Sequence, residues 1–178
     1  EGTAIPPSNF VYFGRDHELM VEPTFLDHPG IDGAQVKYTW RELEPERDQY
    51  DFAAIHEQMN LLQSHGKSLF IQIADVSFTQ RAPVPEYLLS DPAFHGGAAR
   101  KFEGETGVFD GWVARRWDPA VRERFALLLQ ALAREFDGRW EGINLPETAI
   151  GFASLEFHPP GFTFDTYAAG MLAMRSDA

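Results

Sequence analysis

Residues 33–52 read GAQVKYTWRELEPERDQYDF, and this stretch predicts a buried strand, a short loop and the start of a helix. Gly33–Trp40 has the β-branched and aromatic content that favours a strand. Asp51 stands where it can cap the helix that follows. The apolar residues of that helix recur at helical spacing: Phe52, Ile55, Met59 and Leu62. Trp40, Arg41 and Glu44 are therefore expected just past the carboxyl end of a strand, where ligands bind in parallel α/β folds.

Three further strands are predicted outside this stretch, so that the chain holds four. The four strands are residues 10–13, 34–40, 68–73 and 141–146. The second helix is expected to end at His65, because Gly66 is a natural terminator, and the third begins with Asp118 as its N-cap. A fourth helix begins at residue 163 or 165 and ends near residue 174. Strands that alternate with helices over short links are typical of a parallel sheet.

Four β/α units are half of a (βα)8 barrel, which typically needs about 250 residues. We therefore predict an α/β, TIM-barrel-like fold that comprises the first four β/α units of such a barrel. Residues 78–117, rich in proline, glycine and aromatic side chains, are predicted to form a long loop after the third strand. An open doubly wound sheet of four strands is the alternative, but no glycine-rich phosphate loop follows the first strand.

The acidic composition and the lack of cysteine narrow the classes of partner and cofactor. A net charge of −12 argues against nucleic acid and anionic membranes, since both reward lysine and arginine. Without cysteine there are no disulfides, and the histidines match no zinc spacing, so no cofactor or metal is expected. No apolar run reaches the roughly 18 residues of a membrane span. The start, EGTAIPPSNF, reads like a trimmed mature end or an artificial boundary. A secreted or periplasmic location is expected, or otherwise a cytoplasmic one.

Residues 40–52 carry the pattern W-x-x-L-E-P-x-x-x-x-Y-D-F, which resembles the second β/α unit of clan-A glycoside hydrolases, above all the β-galactosidase-type barrels. The glycine that usually follows the Glu-Pro pair is absent, and Asp48 or Gln49 stands near its place. The sequence VPEYL at residues 84–88 resembles a step that follows the third strand of such enzymes. The resemblance implies that residues 1–178 form a single, partial catalytic domain, the N-terminal half of a TIM barrel.

The same resemblance implies that Glu147 is the general acid/base, because the family places a glutamate at the end of the fourth strand. The family has an asparagine directly before it, whereas here Pro146 precedes Glu147 and the asparagine is Asn144. An acid in this position needs a raised pKa to protonate a leaving oxygen. Retaining enzymes also need a second carboxylate about 5–5.5 Å away. The family's nucleophile lies on a seventh strand, outside this chain, and the substitutes within it are Glu44, Asp75 and Glu156.

Six further residues are expected to contact the substrate, each with a structural role as the alternative. They are Trp40, Arg41, Gln72, Asp75, Trp117 and His158. Aromatic rings at strand ends stack on sugar faces but also pack in cores. Arg41 could hold the nucleophile ionised or pair with a neighbouring glutamate. Gln72 and Asp75 follow the third strand and could bind sugar hydroxyls.

The resemblance therefore implies hydrolysis of a β-linked glycan or oligosaccharide with retention of configuration. A non-catalytic carbohydrate-binding or scaffold protein on a half-barrel is the alternative. A second carboxylate within reach of Glu147 would favour hydrolysis, whereas amides and aromatics alone would favour binding. The expected partners are a saccharide and either a second copy of this chain or a separate half that completes the barrel.

Overall fold

The computed structural model describes residues 8–146, 150, 152 and 158–177, and this part of the chain holds seven strands and six α-helices. The strands are β1 Phe10–Gly14, β2 Gly33–Thr39, β3 Ser68–Ala74, β4 Val76–Ser77, β5 Ala98–Phe102, β6 Phe109–Ala114 and β7 Gly142–Asn144. The helices are α1 Pro23–Leu26, α2 Trp40–Leu43, α3 Ala53–Ser64, α4 Glu86–Ser90, α5 Pro119–Phe136 and α6 Phe164–Asp177.

The chain divides into two compact units. The first comprises Glu1–Tyr38, Phe52–Ile73 and Gly138–Leu145, and the second comprises Thr39–Asp51, Ala74–Asp137 and Pro146–Ala178.

The first unit is built on a four-stranded sheet in the order β1-β2-β3-β7. Strand β1 pairs with β2 in parallel, and β3 pairs with β7 in parallel, with Gln72 opposite Asn144. The core side chains Val36 and Ile71 are fully buried. All four predicted strands are confirmed within two residues at either end. Their neighbour order equals their chain order, as for successive units of a barrel, whereas doubly wound sheets reverse direction part-way.

Helix α3 buries Ile55, Met59 and Leu62, which confirms the predicted apolar face. Its cap is different from the prediction. The N-cap is Phe52, no side chain caps the helix, and Asp51 lies one residue too early. The backbone N–H of Asp51 instead donates to the carbonyl of Leu43.

Residues 40–43 form the short helix α2 rather than a strand end and a loop. Thr39 is its N-cap, and the Thr39 hydroxyl accepts a hydrogen bond from the backbone N–H of Glu42. The Glu42 carboxylate accepts in return from the backbone N–H of Thr39 at 2.6 Å. This reciprocal capping satisfies two donors at once, and it ends β2 one residue earlier than the alternation of side chains predicts.

The segment predicted as a long loop, residues 78–117, contains regular secondary structure. It holds α4, a 3₁₀ turn at Pro92–Phe94 and the strands β5 and β6, which form an antiparallel sheet in the order β4-β6-β5. The sequence of β5 does not show the alternation of polar and apolar residues that indicates a strand. Its exposed Arg100 is followed by another cation, Lys101, which is only 2% exposed. Gly111 has φ +120°, and a Cβ there would lie 2.0 Å from the carbonyl oxygen of Ser77, so the close pairing of β4 with β6 needs glycine.

Helix α5 begins and packs as predicted, with Asp118 as N-cap and Pro119 as its first residue. Its predicted apolar stripe is buried: Val121, Phe125, Leu128, Leu129, Leu132 and Phe136. Helix α6 also forms where predicted, and the hydroxyl of Thr163 accepts from the backbone N–H of Thr166 at 3.0 Å. Among the described helices, none has the length and apolar character that crossing a membrane requires.

Replacing Asp118 by alanine is expected to lower the free energy of unfolding by about 1 kcal/mol. The Asp118 carboxylate accepts a hydrogen bond from the backbone N–H of Ala120 at 2.9 Å, and a methyl group leaves that donor without a partner. Urea denaturation measures the change. Glu123→Ala removes an exposed carboxylate from the same helix and should change stability by less than about 0.5 kcal/mol. Equal losses in the two variants would contradict a capping role.

Candidate active site

Trp40 lies at the start of α2, directly after β2, and its side chain is 1% exposed. Its ring packs edge-on against Phe125, with 5.2 Å between the ring centroids. The indole N–H donates to Glu44 at 2.9 Å. Trp40 is therefore a buried packing residue whose polar atom orients a carboxylate.

Glu44 is fully buried and accepts hydrogen bonds on both carboxylate oxygens. One oxygen takes the indole N–H of Trp40. The other takes the Arg124 guanidinium at 2.5 Å, the Tyr87 hydroxyl at 3.1 Å and the backbone N–H of Asp48 at 3.1 Å. Both oxygens are occupied, so Glu44 is poorly placed to attack a sugar carbon as a substitute nucleophile.

The partners of Glu44 are held in their hydrogen-bonding forms by their surroundings. Burial alone would lower the pKa of the Arg124 guanidinium, but its bonds with Asp48, Tyr87 and Glu44 raise it above its ordinary value. Burial raises the pKa of the Tyr87 hydroxyl, and the charge of Glu44 adds to that effect. Arg124 thus stays cationic and Tyr87 stays a donor.

Asp75 follows β3 and forms a buried ion pair with Arg116 through two hydrogen bonds. The Asp75 oxygens accept from Nε at 2.6 Å and from Nη2 at 2.5 Å, and both side chains are at most 2% exposed. Arg116 Nη1 donates to the Tyr167 hydroxyl at 2.9 Å. Burial alone would lower the pKa of Arg116, but the negative charge of Asp75 and its hydrogen bonds raise it. Asp75 is therefore as fully engaged as Glu44.

Trp40 and Asp75 line the same crevice in the second unit, together with Arg116 and Phe125. The cavity measures about 10 Å³, which is at the limit for one water molecule. A sugar ring does not fit there in this conformation. Two predicted contact residues, Trp40 and Asp75, thus line one crevice that is too small for a sugar ring. Their contact with a saccharide stays a prediction.

Arg41 has partners outside the predicted site, and Gln72 lies within a strand. The Arg41 Nε donates to the carbonyl of Val84 at 2.9 Å, and Nη1 lies 3.3 Å from the carboxylate of Glu86. Arg41 therefore pairs with Glu86 rather than with Glu42 or Glu44. Gln72 lies within β3 in the first unit rather than past the strand end, and it is 8% exposed.

Trp117 and His158 belong to one aromatic cluster in the second unit. The centroid of the Phe162 ring lies 5.1 Å from Trp117 and 4.8 Å from His158. Phe152 lies 6.0 Å from Trp117. Trp117 is 8% exposed and packs inside the cluster, whereas His158 also lines an open groove.

The predicted acid/base Glu147 and the substitute Glu156 lie outside the described residues. Strand β7, which precedes Glu147 in the chain, is the neighbour of β3 in the sheet. Among the described residues, no three His, Asp or Glu side chains come close enough together to hold a metal ion.

Arg124, Arg116 and Tyr87 are the site residues that sequence reasoning missed. Arg124 carried a signal, because it occupies a position on the apolar stripe of α5 between Val121 and Phe125. An arginine among buried positions of a helix indicates a buried partner. Arg116 had no such local signal.

No protein family profile matches this sequence, and no curated protein matches it. Solved structures do match. The catalytic domain of a β-amylase from Paenibacillus polymyxa aligns with TM-score 0.61 and 15% identity over 95% of this chain and 47% of that one. A GH5_18 protein from Bifidobacterium longum subsp. longum, in complex with Manb1-4GlcNAc, aligns with TM-score 0.54 and 16% identity over 97% and 41%. A β-galactosidase from the haloarchaeon Halorubrum lacusprofundi aligns with TM-score 0.53 and 19% identity over 77% and 21%.

The chain has a glycosidase-like fold. The resemblance of residues 40–52 to clan-A glycoside hydrolases agrees with this fold. Because the three sequence identities are all below one fifth, the agreement concerns the fold alone. The chain spans less than half of the length of each of these proteins.

Proposed function

We propose that this chain is part of a glycosidase barrel that hydrolyses a β-linked glycan or oligosaccharide with retention, with Glu147 as general acid/base. The observation that carries the proposal is the position of β7. It is the fourth strand of the parallel sheet in chain order, and Glu147 comes three residues after its last residue, Asn144. The bound Manb1-4GlcNAc of the GH5_18 protein favours a β-linked substrate.

In the proposed reaction Glu147 protonates the glycosidic oxygen while a second carboxylate attacks the anomeric carbon. Glu147 then removes a proton from the water that hydrolyses the glycosyl-enzyme. Both oxygens of Glu44 and of Asp75 are already bound to arginines and other donors. The third substitute, Glu156, lies outside the described residues. The proposal takes the nucleophile from outside this chain, which agrees with its coverage of less than half of the related barrels.

Contact of the six predicted residues with the saccharide stays a prediction of the proposal. The second carboxylate comes from another copy of this chain or from a separate half of the barrel. The secreted or periplasmic location stays a prediction.

The assembly that forms the site is the first point to test, by native mass spectrometry of the purified protein. A homodimer or a complex with a second polypeptide is the expected result, because the nucleophile has to be supplied. A lone 20.1 kDa monomer without activity on any aryl β-glycoside would contradict hydrolysis by this chain and would favour the carbohydrate-binding alternative.

Glu147→Gln is expected to lower kcat/KM at least about a hundredfold for a phenyl β-glycoside, because the leaving phenol needs a proton. The loss should be much smaller for the 2,4-dinitrophenyl β-glycoside of the same sugar, whose leaving group departs unprotonated. Glu141→Gln, at an exposed position before β7, is the matched control and should have no effect. Equal losses with both leaving groups would contradict the acid role.

A further inference from the structure

The second unit contains an open groove with a cavity volume of about 380 Å³, within the range of small-ligand sites. One wall is the β5–β6 hairpin, and the other is the segment from His158 to Pro160. Its lining is Ala98, Ala99, Arg100, Phe102, Trp112, Arg115, His158, Pro159 and Pro160. It includes no aspartate or glutamate among the described residues, although the protein carries 27 acidic residues.

The pleat of β5 explains how this wall forms. Alternation places Ala98 and Arg100 on one face of β5, whereas the side chain of Lys101 is 2% exposed. Arg100 lies opposite Trp112 in the antiparallel register, so their side chains are neighbours on the groove side. The small Ala98 leaves space beside them. The hairpin thus presents a cation and an aromatic ring side by side.

Arg100 has no carboxylate partner among the described residues. Its guanidinium lies 4.8 Å from the ring centroid of Phe109 and 5.3 Å from that of Phe102. Contacts of this kind hold the guanidinium in place without neutralising its charge. Its hydrogen-bond donors remain available to a ligand.

Arg115 is the second cation of the groove and is incompletely satisfied. Nη1 donates to the carbonyl of Pro160 at 3.0 Å, which joins the two walls. Nε is buried and has no hydrogen-bond partner within the described part of the chain. Burial lowers the pKa of this guanidinium, and the nearby Asp118 opposes that effect without forming an ion pair. An anionic oxygen at this place would compensate a buried charge.

We infer that this groove binds a carboxylate-bearing sugar, such as a hexuronic acid residue of an acidic glycan. Arginine forms paired hydrogen bonds with carboxylates. The two arginines have no acidic ion-pair partner in the described part of the chain, which makes the groove locally positive on a protein of net charge −12. Trp112 and Phe102 offer apolar faces on which a pyranose ring can stack. The choice of a saccharide rests on the proposed function, whereas the preference for an anion rests on the groove alone.

Isothermal titration calorimetry with methyl β-D-glucuronide and methyl β-D-glucoside tests the inference, because the two probes differ only at carbon 6. The glucuronide is expected to bind at least about tenfold more tightly, and raising the salt concentration should weaken it. Arg100→Gln, at an exposed position, should weaken glucuronide binding about tenfold or more, and Arg115→Gln should do the same. Arg134→Gln, an equal charge change at an exposed position of α5, should leave it unchanged.

Equal affinity for the two glycosides would overturn the inference, and so would glucuronide binding that Arg100→Gln leaves unchanged. Sodium sulfate or phosphate that binds as tightly as the glucuronide would show a simple anion site instead. The Glu147→Gln variant separates this inference from the proposed function. Hydrolysis that needs Glu147 without glucuronide binding would reject only the groove, and glucuronide binding without hydrolysis would reject only catalysis.

Discussion

Replacing Arg124 by methionine is expected to lower the free energy of unfolding by about 3–5 kcal/mol, which is the cost of leaving a buried charge without its partner. Glu44 is 0% exposed, so water does not replace the guanidinium that the variant removes. The Arg124 side chain also donates to Tyr87 at 2.8 Å and to Asp48 at 2.8 Å. One substitution therefore breaks a connected network rather than a single surface pair.

Urea denaturation of the wild type and of three variants measures this effect. Arg134→Met removes an exposed arginine ten positions along the same helix and should cost less than about 0.5 kcal/mol. The double variant Arg124→Met with Glu44→Gln should recover part of the loss, because no net charge then remains buried. A loss below about 1 kcal/mol in Arg124→Met would mean that Glu44 has another compensating partner.

Replacing Arg116 by methionine is the second large effect, and we again expect a loss of about 3–5 kcal/mol in the free energy of unfolding. Asp75 is 1% exposed, and its carboxylate accepts two hydrogen bonds from this guanidinium. Tyr167 loses the hydrogen bond from Arg116 in the same step. The carboxylate would be left in the narrow crevice beside Trp40, where the cavity barely holds one water.

The double variant Asp75→Leu with Arg116→Met distinguishes a lost pair from a stranded charge. Replacing a whole buried ion pair by apolar side chains is often neutral or stabilising. The double variant should therefore unfold at a urea concentration close to that of the wild type, while Arg116→Met alone unfolds much earlier. A double variant as unstable as the single one would contradict this account. Wild-type stability with lost hydrolysis would support the predicted contact of Asp75 with the saccharide.

The elements that were predicted correctly from the sequence depend on neighbouring residues in the chain. Helix α5 was predictable because Asp118, Pro119 and an apolar residue at every third or fourth position specify its start and its buried face. The parallel strands were predictable because β2 and β3 are dense in buried apolar residues and the apolar stripe of α3, followed by Gly66, lies between them. The α/β class and the sequential strand order followed from these local patterns.

The errors of prediction occurred where distant parts of the chain replace the usual local signals. Strand β5 has an outward Arg100 and an inward Lys101, so its hydrophobic pattern is hidden. Lys101 is tolerated inside because its ammonium group lies 3.8 Å from the centroid of the Phe78 ring and 3.5 Å from Asp110. No pattern within residues 98–102 indicates those partners.

The amino-acid sequence was thus sufficient for the four strands of the parallel sheet, for the start and buried face of α5 and for the family-like stretch at residues 40–52. Only the tertiary structure revealed how the charged groups pair, because Arg124 contacts Glu44 across 80 positions of the chain and Arg116 contacts Asp75 across 41. Periodicity reports on neighbours three or four residues apart, whereas a buried charge needs whichever partner the completed fold brings to it. For that reason the sequence marked Glu44 and Asp75 as possible substitute nucleophiles, whereas the fold makes them the centres of two buried ion pairs.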